Sequence, residues 1–195
     1  YCGWDGNGDK GCECFNNLIE YNTILADPPW NERGGGKIKR GADRHYPLLK
    51  TPDIITTIED GISEMGVLAD NAHLYLWVTN NHLKDGLTVM DALGFRYITN
   101  ICWVKDRFGL GQYFRGQHEL LLFGVKGRLL SRTKSQTTVI QEKRRRHSQK
   151  PAATYSKIEA VSPPPYLELF AREPREGWSA WGNEVEPTLQ AVLKI

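Results

Sequence analysis

The chain has 195 residues, 40% of them hydrophobic and 25% charged, with a formal net charge of +2. That length supports one domain with a sizeable core and is too short for two ordinary ones, and the balance of residues excludes a disordered or fibrous chain. No apolar run reaches the roughly 20 residues of a membrane span; no secretory leader is expected, and the expected location is cytoplasmic.

Residues 1–20 form a Gly-, Asn- and Asp-rich N-terminal loop extension with no helical or strand period. Its glycines follow no apolar strand, so they fail the context that a dinucleotide-binding turn requires. Three of the four cysteines, Cys2, Cys12 and Cys14, fall in this extension and the fourth is Cys102. Their C-x9-C-x-C spacing is not a zinc pattern and no histidine lies nearby in sequence, so free thiols and no metal are expected.

A short apolar run over residues 21–26 then reads as a buried strand. It stops at Asp27-Pro28-Pro29-Trp30. Prolines lack N–H donors and fix φ near −65°, so Pro28 and Pro29 cannot extend a ladder and hold the backbone rigid where Asp27 leaves the sheet. The Asp27 carboxylate and the Pro28 carbonyl become a fixed pair of acceptors with an indole close by, a group suited to a planar substrate bearing an –NH2. An isolated Asp-Pro-Pro is more often an ordinary turn with the tryptophan closing a core.

Residues 31–44, with Gly34, Gly35, Gly36 and Gly41 among basic residues, read as a long loop of the kind that serves as a lid. A helix follows, with Thr51 as N-cap, Pro52 at the first helical position, and Ile54, Ile55 and Ile58 as its apolar stripe. Residues 73–79 read as a strand covered on both faces. Residues 81–93 read as a helix with Leu83, Leu87, Met90 and Leu93 on one face and Gly94 as its stop. Residues 95–105 and 118–125 read as two strands, joined by a glycine-rich stretch without a crossover helix and therefore an antiparallel pair.

Between Arg128 and Lys150 stand eight Lys or Arg against one acid, Glu142. This is +7 locally against +2 for the whole chain, so the remainder carries −5. One basic segment on a mildly acidic body is the footprint of a polyanion partner, although a charge run alone is more often a solvated loop. A helix over residues 151–161, a strand over 166–170 and a short strand over 177–181 complete the pattern. Strands alternating with helices indicate an α/β domain with a mostly parallel sheet and helices on both faces. Asp27, Thr79, Arg172 and Asn183 then gather at strand ends, where ligands bind in such sheets.

In order along residues 21–186, Ala26-Asp27-Pro28-Pro29-Trp30, Leu76-Trp77-Val78-Thr79, Trp103-Val104-Lys105, His118-Glu119, Gly124-Val125-Lys126-Gly127, Lys150-Pro151, Glu168-Leu169-Phe170-Ala171-Arg172 and Gly182-Asn183 carry a resemblance. The chain resembles the N6-adenine/adenosine methyltransferases of the Asp-Pro-Pro-Trp type. The resemblance implies a Rossmann-like methyltransferase fold with permuted motif order, S-adenosylmethionine as methyl donor, and an adenine amine as target. It assigns Asp27, Pro28, Pro29 and Trp30 to catalysis, Asp27 and the Pro28 carbonyl receiving the N6 hydrogens, and Tyr46, Glu119 and Lys150 to the substrate side. Asp27, Lys150, Phe170, Arg172, Asn183 and Glu184 fall to the cofactor, with Asp9 a further acidic candidate.

Residues 21–186 would form the methyltransferase domain and 187–195 a C-terminal tail. The expected substrate is nucleic acid, DNA in preference to RNA, and dimerisation, with a second copy or a partner subunit, is the family expectation. Two other readings stay open: a non-catalytic nucleic-acid-binding partner subunit, which the intact Asp27 motif disfavours, and an amino methyltransferase acting on RNA adenosine, cytosine N4 or a side-chain amide.

Overall fold

The computed structural model describes residues 18–31, 48–109, 113–144 and 149–189. Tyr46, Asp9, Cys2, Cys12, Cys14, the glycines of residues 34–41 and the arginines at 145 and 146 lie outside the described residues.

Among the described residues eight strands form one sheet: β1 (Glu20–Ala26), β2 (Val67–Val78), β3 (Arg96–Val104), β4 (His118–Lys126), β5 (Val139–Gln141), β6 (Tyr166–Leu169), β7 (Trp178–Gly182) and β8 (Val185–Thr188). Their order across the sheet is β5-β3-β4-β2-β1-β6-β7-β8. Four of the seven pairings are parallel, β1 with β2, β1 with β6, β6 with β7 and β3 with β5. The expected antiparallel pairing of β3 and β4 is present, and β4 also runs antiparallel to β2, so the sheet is mixed with a parallel majority.

Among the described residues three α-helices cover the sheet: α1 (Thr51–Met65), α2 (Leu83–Ala92) and α3 (Ala153–Val161). Alternation along the strands sorts the core into two layers. Ile24 and Ala26 of β1 and Leu74, Leu76 and Val78 of β2 face Ile54, Ile58 and Ile62 of α1 and Val89 and Met90 of α2. Leu25, Tyr75, Trp77, Trp103, Leu121 and Trp178 face the other way, against Ile158 of α3. Helices therefore lie on both faces, two on one and one on the other.

Several local expectations are corrected. Thr51 is the first residue of α1 and Lys50 is its N-cap. The Thr51 hydroxyl donates to Asp85 Oδ1 at 3.0 Å, which ties α1 to α2 instead of capping, while Asp53 accepts the Lys50 N–H at 3.4 Å. A 3-10 turn, Asn80–His82, precedes α2, and the buried face of α2 is Gly86, Val89 and Met90, with Leu83 exposed. A Cβ at Gly86 would sit 2.5 Å from Val78 Cγ1, so the helix packs where a glycine lets it approach β2. Gly94 does end this segment, at φ +78°. β8 has no strong strand pattern in the sequence and is recognised only by its pairing with β7.

The basic segment is partly built into the fold. β5 within it adds to the sheet beside β3, and its one acid, Glu142, accepts the N–H groups of Ala152 and Ala153 at 2.9 and 3.0 Å. A carboxylate at the start of α3 satisfies donors that the helix leaves unpaired and complements its dipole. The run of prolines at 163–165 has no N–H to give, but its carbonyls accept from Thr23 and Asn22 at the start of β1.

Candidate active site

The connection from β1 leads to β2 on one side, and β6 leads to β7 on the other. The crevice at the carboxyl ends of β1 and β6 is thus a topological switch point, where open α/β sheets bind ligands. Ala26 pairs with Leu169, so Asp27 and Phe170 emerge side by side although 143 positions separate them. Thr79, Lys105 and Asn183 follow β2, β3 and β7 at the same edge, and Glu119 lies at the start of the antiparallel β4.

Asp27 leads into a braced turn. The Trp30 N–H donates to the Pro28 carbonyl at 2.9 Å, and the Leu49 N–H donates to the Pro29 carbonyl at 2.9 Å. A carbonyl has two lone pairs, so Pro28 keeps one acceptor position. The Trp30 indole is buried, 7% exposed. Its Nε1 donates to the Trp77 carbonyl at 2.8 Å, and its ring stacks on His82 at 5.4 Å between centroids. His82 is itself fixed between the Thr79 hydroxyl at 2.8 Å and the Asn31 carbonyl at 2.9 Å. Trp30 and His82 together hold the turn that aims Asp27.

Lys150 Nζ donates to both Asp27 oxygens, at 2.6 and 2.7 Å, and stands 3.6 Å from Glu119 Oε2. Lys105 Nζ donates to the other Glu119 oxygen at 2.5 Å. The row Asp27, Lys150, Glu119, Lys105 alternates in sign and sums to zero. Trp77 and Trp103, 1% and 3% exposed, floor it: Lys150 Nζ lies 5.6 Å from one ring and Lys105 Nζ 4.9 Å from the other. Both tryptophans pack in the core and also meet these cations by their faces. Trp77 Nε1 is buried and meets no hydrogen-bond partner among the described residues.

Burial alone would lower the Lys150 pKa, but the Asp27 and Glu119 charges outweigh it and hold the ammonium above its ordinary value. Burial alone would raise Glu119; Lys150 and Lys105 reverse this, and its carboxyl titrates below the usual range. Both groups are therefore charged across neutral pH. Arg172 sits close enough for its charge to oppose that of Lys150.

On the β6 side, Phe170 adopts φ +61°, a left-handed conformation that is a genuine outlier for a bulky residue. Such strain is held by its surroundings and clusters at ligand sites. Here the Ala171 N–H donates to the Trp181 carbonyl at 3.0 Å, and Gly182 lies so near that a Cβ there would meet Ala171 O at 2.4 Å. The half-buried Phe170 ring meets Trp181 edge-on at 6.4 Å. Trp181 Nε1 donates to Glu64 of α1. Asn183 and Glu184 are exposed in the turn between β7 and β8. They share the edge of the sheet with Asp27, but no hydrogen bond or ion pair among the described residues joins them to its cluster.

Two acidic or basic members of the site were not singled out from sequence. Lys105 belongs to a quoted motif, and its pairing with Glu119 depends on the β3–β4 register. Glu168 stands between Leu167 and Leu169 on a buried strand, where a carboxylate is itself a signal. Burial, together with the nearby Asp27 charge, pushes its pKa up to about 7 against the opposing hydrogen bond from the Tyr155 hydroxyl, which reaches both oxygens at 2.9 and 3.1 Å. Among the described residues no group of three or more His, Cys, Asp or Glu is placed to hold a metal, and no helix is long and apolar enough to cross a membrane.

The residues fit a cofactor with an adenosine end, a carboxylate and a cationic sulfur. The strained Phe170 turn and Arg172 follow β6, Asn183 and Glu184 supply exposed polar groups one strand away, and the carboxylates of Asp27 and Glu168 stand near each other on the adjacent strands β1 and β6.

The family model MT-A70 matches residues 21–184. The chain is 28% identical to the type II methyltransferase M.MunI of a Mycoplasma species, over 85% of this chain and 78% of that protein. It is 30% identical to a probable N(6)-adenosine-methyltransferase MT-A70-like protein of Oryza sativa subsp. japonica, over 86% of this chain and 23% of that protein. It is 29% identical to the human N(6)-adenosine-methyltransferase catalytic subunit METTL3, over 87% of this chain and 29% of that protein. The chain thus spans most of M.MunI and between a fifth and a third of these plant and human relatives. With the Asp27 turn at the switch point and the family match running from β1 to the β7–β8 turn, the chain belongs to the MT-A70 family of N6-adenine methyltransferases.

Proposed function

We propose that the protein transfers a methyl group from S-adenosylmethionine to N6 of adenine in a nucleic acid, DNA in preference to RNA. The observation that carries this reading is the parallel pairing of β1 with β6, which sets the Asp27 acceptor beside the strained Phe170 turn and Arg172. The preference for DNA is supported by the similarity to M.MunI, which extends over 78% of that protein, whereas the relatives named as adenosine methyltransferases are matched over less than a third.

The cofactor, when bound, supplies an electrophilic methyl group on a positively charged sulfur. The protein's task is to make a poor nucleophile attack it, because the adenine amine delocalises its lone pair into the ring. Asp27 and the free lone pair of the Pro28 carbonyl accept the two amine hydrogens and favour a pyramidal nitrogen with its lone pair turned outward. Holding the partners in line supplies much of the rate enhancement. For the amine to reach Asp27, Lys150 gives up one of its two bonds to that carboxylate and leans towards Glu119, 3.6 Å away. The methylated nitrogen sheds one proton, and Asp27 is the carboxylate within reach to pass it to solvent. In a duplex the adenine must leave the stack.

Residues 21–186 are taken as the catalytic domain, with Tyr46, Glu119 and Lys150 on the substrate side and Arg172, Asn183 and Glu184 on the cofactor side. Transfer of tritium from methyl-labelled S-adenosylmethionine to matched DNA and RNA oligonucleotides tests the proposal. Label in DNA adenine above RNA adenine is the expected result, and label in neither refutes it.

A further inference from the structure

The connection between β3 and β4 emerges at the same edge of the sheet as Asp27. Its described arms, residues 105–109 and 113–117, are pinned to each other. The Lys105 N–H donates to the Gln117 carbonyl at 2.9 Å and the Gly109 N–H to the Gly116 carbonyl at 2.6 Å, and Arg115 Nε donates to the Gly109 carbonyl at 2.6 Å. From these braced arms three aromatic rings point away from the core: Phe108 is 60% exposed, Tyr113 98% and Phe114 90%. Single exposed apolar residues need no explanation, but three rings on one short connection do. The Arg115 guanidinium lies 5.0 Å from the Phe108 ring centroid, and the Arg107 side chain is 79% exposed.

Charge narrows the choice of partner. The single acid of the arms, Asp106, accepts the Arg144 N–H at 3.1 Å and pairs with its side chain at 3.5 Å, which ties the basic segment to this connection. Lys105 is held by Glu119, whereas Arg107, 79% exposed although its Nε stands 3.6 Å from Asp106 Oδ2, and Arg115, which lies against the Phe108 ring, present their guanidinium groups among the rings. The arms are also continuous with the site, through Lys105 to Glu119, to Lys150, to Asp27. Planar rings interleaved with guanidinium groups, beside a basic segment, are the chemistry that binds unpaired nucleic acid: every base has a π-face to stack and every nucleotide a phosphate to neutralise.

We propose that Phe108, Tyr113 and Phe114, with Arg107 and Arg115, form a stacking platform for unpaired bases flanking the target adenine. This rests on the nucleic-acid reading given above. The platform holds the strand while the adenine amine is presented to Asp27, and being blind to base identity it contributes affinity without sequence choice.

The test measures binding of a fluorescein-labelled single-stranded oligonucleotide of 15 nucleotides by anisotropy, with methyl transfer assayed on the same strand. Y113A/F114A is expected to weaken binding about tenfold or more with an unchanged salt dependence, and Y113F/F114Y, which keeps both rings, to restore it. R107Q/R115Q is expected to lower the slope of log affinity against log salt by about 1.4, two phosphate contacts at about 0.7 each. S-adenosylmethionine affinity by calorimetry and molecular mass by light scattering should stay at wild-type values in all of them. Binding of Y113A/F114A within twofold of wild type, while wild type transfers methyl groups, overturns the platform and leaves the proposed function standing. A change of mass with oligonucleotide binding retained overturns it in favour of a protein-docking surface. Wild-type protein that neither binds nor methylates the strand overturns both.

Discussion

Lys150 Nζ holds both oxygens of Asp27, at 2.6 and 2.7 Å, across 123 positions of sequence. The side chains are 18% and 23% exposed, so the pair is neither a surface ion pair of little consequence nor a fully desolvated one. It holds the Asp27 carboxylate in a fixed orientation at the end of β1.

Breaking this pair from either side leaves a charge without its main partner. Asp27→Asn and Lys150→Met should each destabilise the fold by about 1–2 kcal/mol, below the range for fully buried pairs because solvent reaches this one. The double variant should lose less than the sum, since the two residues share one interaction. Urea unfolding of the four proteins measures the coupling; strict additivity would show that the pair contributes nothing beyond its separate residues.

Glu168 makes stability depend on pH. Its folded pKa, up to about 7, lies above the ordinary 4.5, so the fold favours the protonated carboxyl. The resulting stabilisation is fully present below about pH 4.5 and is lost as pH rises through 7. Glu168→Gln keeps an acceptor for the Tyr155 hydroxyl and removes the ionisation. The variant should be more stable than wild type at pH 8 by about 2 kcal/mol, roughly 4–8 °C in melting temperature, and should show no such gain at pH 4. Calorimetric scans at the two pH values check this.

His73 acts at the other end of the sheet, with the opposite sign. Its Nδ1 accepts from the Ser162 hydroxyl at 2.7 Å, Ser162 in turn accepts from the Tyr75 hydroxyl at 2.8 Å, and Nε2 donates to the Leu129 carbonyl at 3.1 Å. Burial lowers its pKa below the ordinary 6.5. The folded chain therefore resists a proton that the unfolded chain takes up, and stability falls as pH drops below 6.5. His73→Gln should be less stable than wild type at pH 7 and lose less on going to pH 5, as urea midpoints would show.

Gly182 supports the Phe170 turn by its lack of a side chain. A Cβ there would lie 2.4 Å from Ala171 O and 2.7 Å from Ala171 N, contacts that backbone cannot yield without moving. Gly182→Ala should raise the dissociation constant for S-adenosylmethionine more than tenfold and destabilise the fold by about 1–3 kcal/mol. Gly177→Ala, with open space around its Cβ but φ +82°, is the control: a comparable backbone cost with cofactor affinity retained.

The alternating core was legible in the sequence because strand and helix periods are local. The β1 strand, its Asp27 end and the antiparallel pairing of β3 and β4 were read correctly from run lengths and connections. The capping of α1 was misread because a hydroxyl in the right position was claimed by Asp85, 34 residues away. Of the expected α2 face, Met90, Leu87 and Leu93 do meet the core, whereas Leu83 is exposed and the close approach to β2 is made at Gly86. Lys105 and Glu168 stand in the quoted motifs without a role of their own: Lys105 gains its partner only through the β3–β4 register, whereas Glu168 is signalled locally, as a carboxylate between two leucines of a buried strand.

Acceptance of an adenine amine by Asp27 for methylation at N6 is read out by nucleoside mass spectrometry. An oligonucleotide is incubated with S-adenosylmethionine and either wild-type protein or Asp27→Ala, then digested. Wild type should yield N6-methyladenine nucleoside, and Asp27→Ala less than a thousandth of it while still binding the cofactor. Undiminished product from Asp27→Ala, or a methyl group found on cytosine N4, would rule out this role for Asp27.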